Sequence, residues 1–426
     1  MKRRFNAPRS GDQLNRIAFP MGGKPSLPFI YSDGVWTGIE HQAAAHPDHD
    51  RAGRRGPRGC ARRLELNKRI SRHREFFGRR EPGDLLVHSS TWRGPSLEGW
   101  LNKVLHERGP ASMLTTVGAE SAVQEYVAQV RAAGDSFYAP EDDSVPCAIV
   151  YWGIGGITAA MIGGEPVFDG STSWLEPNLS WPDIDKLAFD PENKWVRMAV
   201  DVNRALQQRW EEDFMVLPYL HRSPLDAANG IRGTELFVEM YEEPDRVKAL
   251  INWCADWSIA LERLIAREAP RPAGCGVGVW GTWLPDNAVF VNGDPVGLLS
   301  REQGETFDRP SIEKLFTSTG GGFFHNHTIG LRQADLVSSY KGTVVQWFVN
   351  DPKQPSLAEA LINMPELREK ILAASIQCPI GGNVGCDQLD AFLDIARHGR
   401  FIVAVECTND EDPRPYIKKV RKASKW

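Results

Sequence analysis

Four apolar segments in the C-terminal half decide the fold: GGFFHNH (321–327), TVVQWFV (343–349), QCPIGGNV (377–384) and FIVAVEC (401–407). They are short, apolar and rich in β-branched or aromatic residues, which is typical of strands buried on both faces. Stretches with helical periodicity separate them, such as LAEALINMPELREKILAAS and CDQLDAFLDIARHG. Strands that alternate with helices predict parallel β–α units.

Four further strand candidates lie upstream: CAIVYW (147–152), DFMVLPYL (213–220), GCGVGVWG (274–281) and NAVFVN (287–292). Eight strands are what a closed (β/α)8 TIM barrel needs, so the α/β class and a barrel from about Pro146 onward are predicted. A doubly wound open sheet is the alternative. The sequence argues against it, because no GxGxxG or GxxxxGK[ST] phosphate loop follows any of these strands.

The chain divides into three predicted parts. Residues 1–64 are rich in Gly, Pro, Arg and His and have no strand or helix periodicity, so a disordered basic extension is expected. Residues 65–145 contain an amphipathic stretch, SAVQEYVAQVRAAG, and are predicted to form a helical cap or lid. Residues 146–426 form the predicted barrel.

Composition narrows the classes of function. The net charge of −5 gives no sign of a nucleic-acid footprint, and no run of eighteen apolar residues predicts a membrane span. Seven dispersed cysteines without a CxxC pair are typical of reduced thiols in the cytoplasm. We therefore expect a cytoplasmic protein that acts on a small-molecule substrate. The sequence does not determine the oligomeric state, and a homodimer is one of the open alternatives.

The barrel rule selects candidate site residues, because active sites lie where the strands end. His325 and His327 end one predicted strand, and residues i and i+2 of a strand project to the same side. Cys407 ends the last strand and completes a His–His–Cys set for zinc with one open position, with Cys386 as the substitute third ligand. The alternative is that these residues make strand-end hydrogen bonds and pack in the core.

Asp294 and His221 also follow predicted strands and are the candidate catalytic residues. Asp294 is placed to hold a proton or orient a cation, although a turn aspartate before proline also serves as a cap. His221 is a candidate general acid or base, with a structural hydrogen bond as the alternative. Tryptophans near strand ends are interpreted as either an aromatic wall or core filling: Trp152, Trp280, Trp283 and Trp347.

Three stretches resemble one known superfamily: SPLDAANGIRGTELFVEMYEEPDRVKALINWCADWSIA (223–260), GDPVGLLSREQGETFDRPSIEKLF with the following GGFFHNHTIG, and FIVAVECTNDEDPRPYIKKVRK. Over roughly residues 65–424 the chain resembles the uroporphyrinogen decarboxylase superfamily. That superfamily also contains zinc-dependent, cobalamin-linked methyltransferases. The H-x-C…C zinc pattern of those methyltransferases falls on His325, His327 and Cys407, with His327 standing where they have cysteine.

The resemblance implies an enzyme that binds zinc, takes a methyl group from a corrinoid carried by a partner protein and passes it to a thiol. The arginine-rich RQAGR-type motif of the decarboxylase branch is not found. Two alternatives stay open. One is a cofactor-free decarboxylase of a tetrapyrrole-type acid, with Asp294 and Arg232 as participants. The other is a non-catalytic barrel that binds a ligand or a corrinoid protein.

Overall fold

The computed structural model describes residues 57–89, 99–133, 141–176, 179–272, 274–285, 287–407 and 411–426, and the backbone of Ile30–Ser32 and Val35–Thr37. Most of the predicted extension 1–64 lies outside these residues. The first described helix begins at Pro57, inside that range. The two predicted boundaries between the three parts stay predictions.

Fifteen strands are described, and most are short. They are β1 (Ile30–Ser32), β2 (Val35–Thr37), β3 (Leu85–Ser89), β4 (Cys147–Ile149), β5 (Val167–Phe168), β6 (Ser173–Trp174), β7 (Met215–Leu217), β8 (His221–Arg222), β9 (Val277–Val279), β10 (Thr282–Leu284), β11 (Val289–Asn292), β12 (Gly322–His327), β13 (Thr343–Val349), β14 (Ile380–Gly385) and β15 (Phe401–Glu406).

Helices separate most of these strands. They are α1 (Pro57–Gly78), α2 (Trp100–Arg108), α3 (Thr116–Ala132), α4 (Ile154–Ile162), α5 (Trp181–Ile184), α6 (Lys194–Gln208), α7 (Pro224–Arg232), α8 (Glu235–Glu242), α9 (Pro244–Glu268), α10 (Arg301–Gln303), α11 (Arg309–Thr319), α12 (Ala334–Ser338), α13 (Leu357–Asn363), α14 (Pro365–Gln377), α15 (Leu389–Ala396) and α16 (Arg414–Ala423). A π-helical segment, Gly304–Asp308, joins α10 to α11. Two 3-10 segments, Asp294–Leu298 and Thr328–Gln333, follow β11 and β12.

Seven strands form one parallel sheet in the order β3-β15-β14-β13-β12-β11-β8. A second parallel ladder joins β4 to β7, which lies just before β8 in the chain. The predicted parallel α/β class is therefore confirmed. Among the described residues no ladder joins β3 to β4, so closure into a barrel stays a prediction.

Alternate residues of the sheet strands face two different buried layers. One layer, here called the aromatic face, contains Phe290, Phe323, Trp347, Ile402 and Ala404. The other, the helix face, packs against the surrounding helices and contains Phe324 and Val291 on one side and Val403 and Val405 on the other. Burial of both faces explains why the strands read as continuous apolar runs rather than as an apolar–polar alternation.

Two segments have a different role from the predicted one. LLVHSS (85–90) lies in the range 65–145 predicted as the cap, but its residues Leu85–Ser89 form β3 and pair in parallel with β15. GCGVGVWG, predicted to be a barrel strand, instead forms β9 of an antiparallel hairpin with β10. The hairpin turn has Trp280 at φ 45° and Gly281 at φ 78°, the positive φ values of a two-residue turn, and single-sequence periodicity does not distinguish such a hairpin arm from a parallel strand.

Backbone and side-chain hydrogen bonds bridge the sheet edge at β3. The backbone N–H of Asp143 donates to the Val87 carbonyl at 2.8 Å, and a carboxylate oxygen of Asp142 accepts from the Ser89 N–H at 2.7 Å. Arg69 of α1 donates to Asp142 at 2.8 Å, and both side chains are buried. These contacts attach the segment before β4 to β3 where no strand ladder does so.

No helix in the described ranges is both long and apolar enough to cross a membrane.

Candidate functional site

Three side chains meet beyond the C-terminal ends of two adjacent strands. His325 and His327 lie on β12 on the same side as Phe323, and Asp294 opens the 3-10 segment after β11. Asp294 Oδ1 lies 3.6 Å from His325 Nδ1 and 3.5 Å from His327 Nε2. The parallel register pairs Asn292 with His325, so the two chain segments leave the sheet side by side. Three of the five predicted site residues are thus brought together.

Asp351 orients the ring of His327. Its Oδ1 lies 2.8 Å from His327 Nδ1, and its Oδ2 accepts the N–H of Ile329 at 2.9 Å. The Asp351 N–H in turn donates to Thr328 Oγ1 at 2.9 Å. A carboxylate on Nδ1 fixes the imidazole tautomer and turns Nε2 toward Asp294, which is the arrangement found behind metal-binding histidines.

Asn292 orients the other two members of the cluster. Its Nδ2 donates to Asp294 Oδ2 at 2.7 Å, and its Oδ1 contacts His325 Nδ1. Asp294 Oδ1 is buried and has no hydrogen-bond partner among the residues that the structure describes. One carboxylate oxygen is therefore held in place while the other is directed at the two imidazoles.

The electrostatic environment gives Asp294 an unusual proton affinity. Burial raises the pKa of the Asp294 carboxyl to about 6, with a further increase from Asp226, while His327, Asn292 and Arg222 oppose the rise. Arg222 donates two hydrogen bonds of 2.8 Å to Asp226 and one of 3.2 Å to Thr158 Oγ1. Asp294 can accordingly hold or release a proton close to neutral pH.

The Asp294–His325–His327 cluster fits a small divalent cation. Metal–ligand bonds of about 2.0–2.2 Å in a tetrahedral site separate the ligand atoms by roughly 3.4 Å. The 3.5 Å between Asp294 Oδ1 and His327 Nε2 matches this value and is too long for a good hydrogen bond. On His325 the metal-binding nitrogen would be Nε2, because Nδ1 donates to Asn292 Oδ1. All three ligand atoms lie within 4.8 Å of one another. Two imidazoles and one carboxylate form a donor set that leaves a position open for substrate.

The structure does not bring Cys407 to this cluster. Phe401, Val403, Val405 and Cys407 all belong to the helix face, whereas the histidines lie on the aromatic face. The structure therefore places Asp294, and not Cys407, beside the two histidines of the predicted His–His–Cys set. The reason is strand parity, because neighbouring residues of a strand face opposite sides and a one-residue error exchanges the faces. Cys407 instead contacts Cys386, its predicted substitute, with a Sγ–Sγ distance of 2.8 Å.

Strand parity also places the His221 side chain on the side of the sheet opposite to the cluster. His221 is paired with Val291 of the helix face, and its Nε2 lies 2.6 Å from Glu262 Oε1 on α9. Both side chains are fully buried. The next residue, Arg222, is paired with Asn292 and lies on the side of the cluster.

Sequence reasoning missed Asn292 and Arg222 as parts of the site. The alternation of side chains along a strand could have identified both. Arg222 faces the side opposite to His221, and Asn292 lies two residues before Asp294. Arg232, considered for substrate carboxylates, pairs with Glu239 at 2.7 Å and is thus occupied by a neighbouring helix.

An aromatic layer lies against His325. The Trp280 ring is perpendicular to the His325 ring, with centroids 5.2 Å apart, and Phe290 stacks on the same imidazole at 5.9 Å. Trp280 also contacts Trp347 at 5.8 Å. Two of the four predicted wall tryptophans therefore lie together, whereas Trp152 packs on Tyr219 and Trp283 on Phe77.

The fold and the site together define a parallel α/β protein with a candidate metal centre at the strand ends. Neither known protein families nor curated proteins gave a match to the sequence. Among solved structures the chain is similar to a methyltransferase from Methanosarcina mazei, with a TM-score of 0.53 and 12% sequence identity, over 84% of this chain and 97% of that one. At this identity the likeness concerns the fold.

Proposed function

We propose that this chain is a zinc-dependent methyltransferase built on a closed barrel like that of the uroporphyrinogen decarboxylase superfamily. The observation that carries the proposal is the Asp294–His325–His327 cluster, in which a buried carboxylate oxygen lies 3.5 Å from His327 Nε2 and beside the His325 ring. The fold-level likeness to a methyltransferase structure supports the class of reaction.

We also propose that Asp142 and Asp143 close the barrel between β3 and β4.

In this proposal Asp294, His325 and His327 hold the metal. Zinc bound there would lower the pKa of a thiol placed at the open position, which makes the thiol a nucleophile at neutral pH. Asp351 and Asn292 keep the ligand atoms aimed at one point, because they occupy the remaining polar atoms of His327 and Asp294. Arg222 and Asp226 adjust the local charge beside Asp294.

The methyl donor in the proposal is a corrinoid delivered by a partner protein, as the family resemblance implies. The aromatic layer of Trp280, Trp347 and Phe290 supplies an apolar surface behind the reacting atoms. A site of this kind limits access of water, which would otherwise compete with the thiol as methyl acceptor.

One observation favours a second candidate, a cofactor-free decarboxylase. Burial raises the pKa of Asp294 to about 6, so its carboxyl can donate a proton to a carbanion-like centre near neutral pH. A tetrapyrrole-type acid also requires several fixed cations for its remaining carboxylates. Arg222 is the cation beside Asp294, and its guanidinium is already engaged by Asp226. We therefore rank the decarboxylase second.

Metal content tests the proposal. The chain, purified without chelator, should lose one equivalent of zinc when Asp294→Asn or His327→Ala is introduced. The exposed residues Asp390→Asn and His398→Ala serve as controls of the same chemical types and should leave zinc content unchanged. Transfer from methylcobalamin to a small thiol should be lost in the same two site variants. Unchanged zinc in both site variants would overturn the metal centre, and decarboxylation by a zinc-free chain would favour the second candidate.

A further inference from the structure

A second cluster of metal-ligating side chains lies on the helix side of the sheet, away from the proposed centre. Cys386 directly follows β14 and Cys407 directly follows β15, and these strands are paired up to Gly385 and Glu406. The Cys386 N–H donates to the Glu406 carbonyl at 3.3 Å, so the parallel pairing continues to the cysteines. Their sulfur atoms lie 2.8 Å apart.

Glu411 completes this cluster. Its carboxylate and the two sulfur atoms lie within 4.8 Å of one another. The Tyr416 hydroxyl at the start of α16 donates to Glu411 Oε1, which orients the carboxylate. Cys407 is buried, while Cys386 and Glu411 are half-buried. Solvent can therefore reach the cluster, although its deepest ligand belongs to the core.

The charges around the two sulfur atoms are negative. Glu411 and Asp387 act on Cys386, and Glu411 and Asp412 act on Cys407. Among the described residues, the Tyr416 hydroxyl also faces the sulfur atoms. Acidic surroundings disfavour a free thiolate, so they argue against a reactive nucleophilic pair. The same surroundings favour a divalent cation, because its charge compensates both the thiolates and the carboxylates.

We propose that Cys386, Cys407 and Glu411 form a second metal site, specific for a soft or borderline divalent cation such as Zn²⁺. Thiolates and carboxylates are both zinc ligands, and a water molecule would complete the four-coordinate shell; both thiols release their protons to solvent on binding. Tetrahedral coordination with metal–sulfur bonds of about 2.3 Å separates two sulfurs by roughly 3.8 Å, so the sulfurs move apart by about 1 Å.

The consequence of this site is structural. It connects the ends of β14 and β15 to the segment that leads into α16. A metal bound only by the folded chain stabilises that chain, because the binding free energy adds to the free energy of unfolding. We expect chelation to lower the melting temperature through this site as well as through the histidine cluster.

Cobalt substitution tests the second site, because Co²⁺ bound by thiolates gives a charge-transfer absorption that nitrogen and oxygen ligands do not give. The reduced full-length chain should show this band with Co²⁺, and Zn²⁺ should displace it. Cys386→Ser and Cys407→Ser should each abolish or strongly weaken the band, and Glu411→Gln should weaken it. His327→Ala should leave it intact, which separates this proposal from the proposed function. Cys147→Ser, at the other half-buried cysteine among the described residues, is the matched control.

Two results would overturn the second site. One is the absence of a thiolate–cobalt band in the reduced parent chain. The other is a Cys386–Cys407 disulfide, detected by mass spectrometry after digestion of non-reduced protein, that re-forms in air while Zn²⁺ is present in excess. Circular dichroism confirms that each variant is folded. If Cys407→Ser fails to fold because of its burial, the partly exposed Cys386→Ser and Glu411→Gln still decide the outcome.

Discussion

At the scale of single residues, Asp351 is the most informative position outside the ligand set. Its carboxylate contacts His327 Nδ1 and the backbone N–H of Ile329. Asp351→Asn keeps an oxygen acceptor and removes the charge, so we expect zinc affinity at the histidine centre to fall by roughly 10- to 100-fold with the fold intact. Competition with a metal-indicator dye measures the change. An affinity equal to that of the parent would contradict the orienting role.

Trp280 combines backbone strain with a large packing contribution. Its φ of 45° is the left-handed region, which costs a non-glycine residue about 1–2 kcal/mol, while its ring packs against Phe290, Phe323, His325 and Trp347. We expect stability to fall in the order parent, Trp280→Gly, Trp280→Ala. Both variants lose the ring, and only glycine relieves the strain, by about 1 kcal/mol. Denaturant unfolding of the three proteins measures the order, and an alanine variant as stable as the glycine variant would refute it.

Strand parity explains which site residues could be predicted at this scale. His325 and His327 were predicted correctly to lie together, because they are two residues apart on one strand. Cys407 and His221 each lie one residue away from a position on the side of the cluster. Where a strand is interrupted, as between β7 and β8 around Pro218, the sequence does not show which side of the sheet the following residues face. Asn292 is an uncharged residue that carries no catalytic signal by itself.

At the scale of elements, the π-helical segment before α11 contains a buried acid. Burial raises the pKa of Asp308 to about 7, against a weaker opposing effect of its hydrogen bond from Tyr340. The folded chain therefore retains this proton where the unfolded chain has lost it, between about pH 4 and pH 7. Its contribution to stability is fully present below pH 4 and is lost as the pH rises through 7.

Asp308→Asn removes this pH dependence. We expect the melting temperature of the parent chain to fall relative to that of the variant as the pH rises from 5 to 8. The other titrating groups are common to both proteins and cancel in the comparison. Differential scanning fluorimetry across this pH range measures the difference. A constant difference between the two proteins would show that Asp308 does not titrate there.

The elements themselves were predicted unevenly, for a physical reason. β13 matches its predicted range and β12, β14 and β15 match closely, because long apolar runs between helices have few alternative structures. β3 was assigned to the cap and β9 to the sheet. The role of a short apolar segment depends on the strand it pairs with. The partner of β3 is β15, which is distant in the sequence. The partner of β9 is β10, whose sequence has a strand propensity similar to that of a sheet strand.

At the scale of the whole molecule, the two proposed metal sites lie on opposite faces of one parallel sheet. The Asp294–His325–His327 centre lies beyond the aromatic face and is proposed to bind substrate. The Cys386–Cys407–Glu411 site lies on the helix face and is proposed to hold the last two strands to α16. The class of ligand differs as well, since nitrogen and oxygen donors form the first site and sulfur dominates the second.

The most direct test of the central claim is anomalous diffraction at the zinc edge from crystals of the full-length chain grown with zinc. We expect an anomalous peak between Asp294 Oδ1, His325 and His327, and its loss in crystals of the Asp294→Asn variant. An empty position among these three side chains at saturating zinc, in crystals where the variant and the parent chain have the same fold, would contradict it.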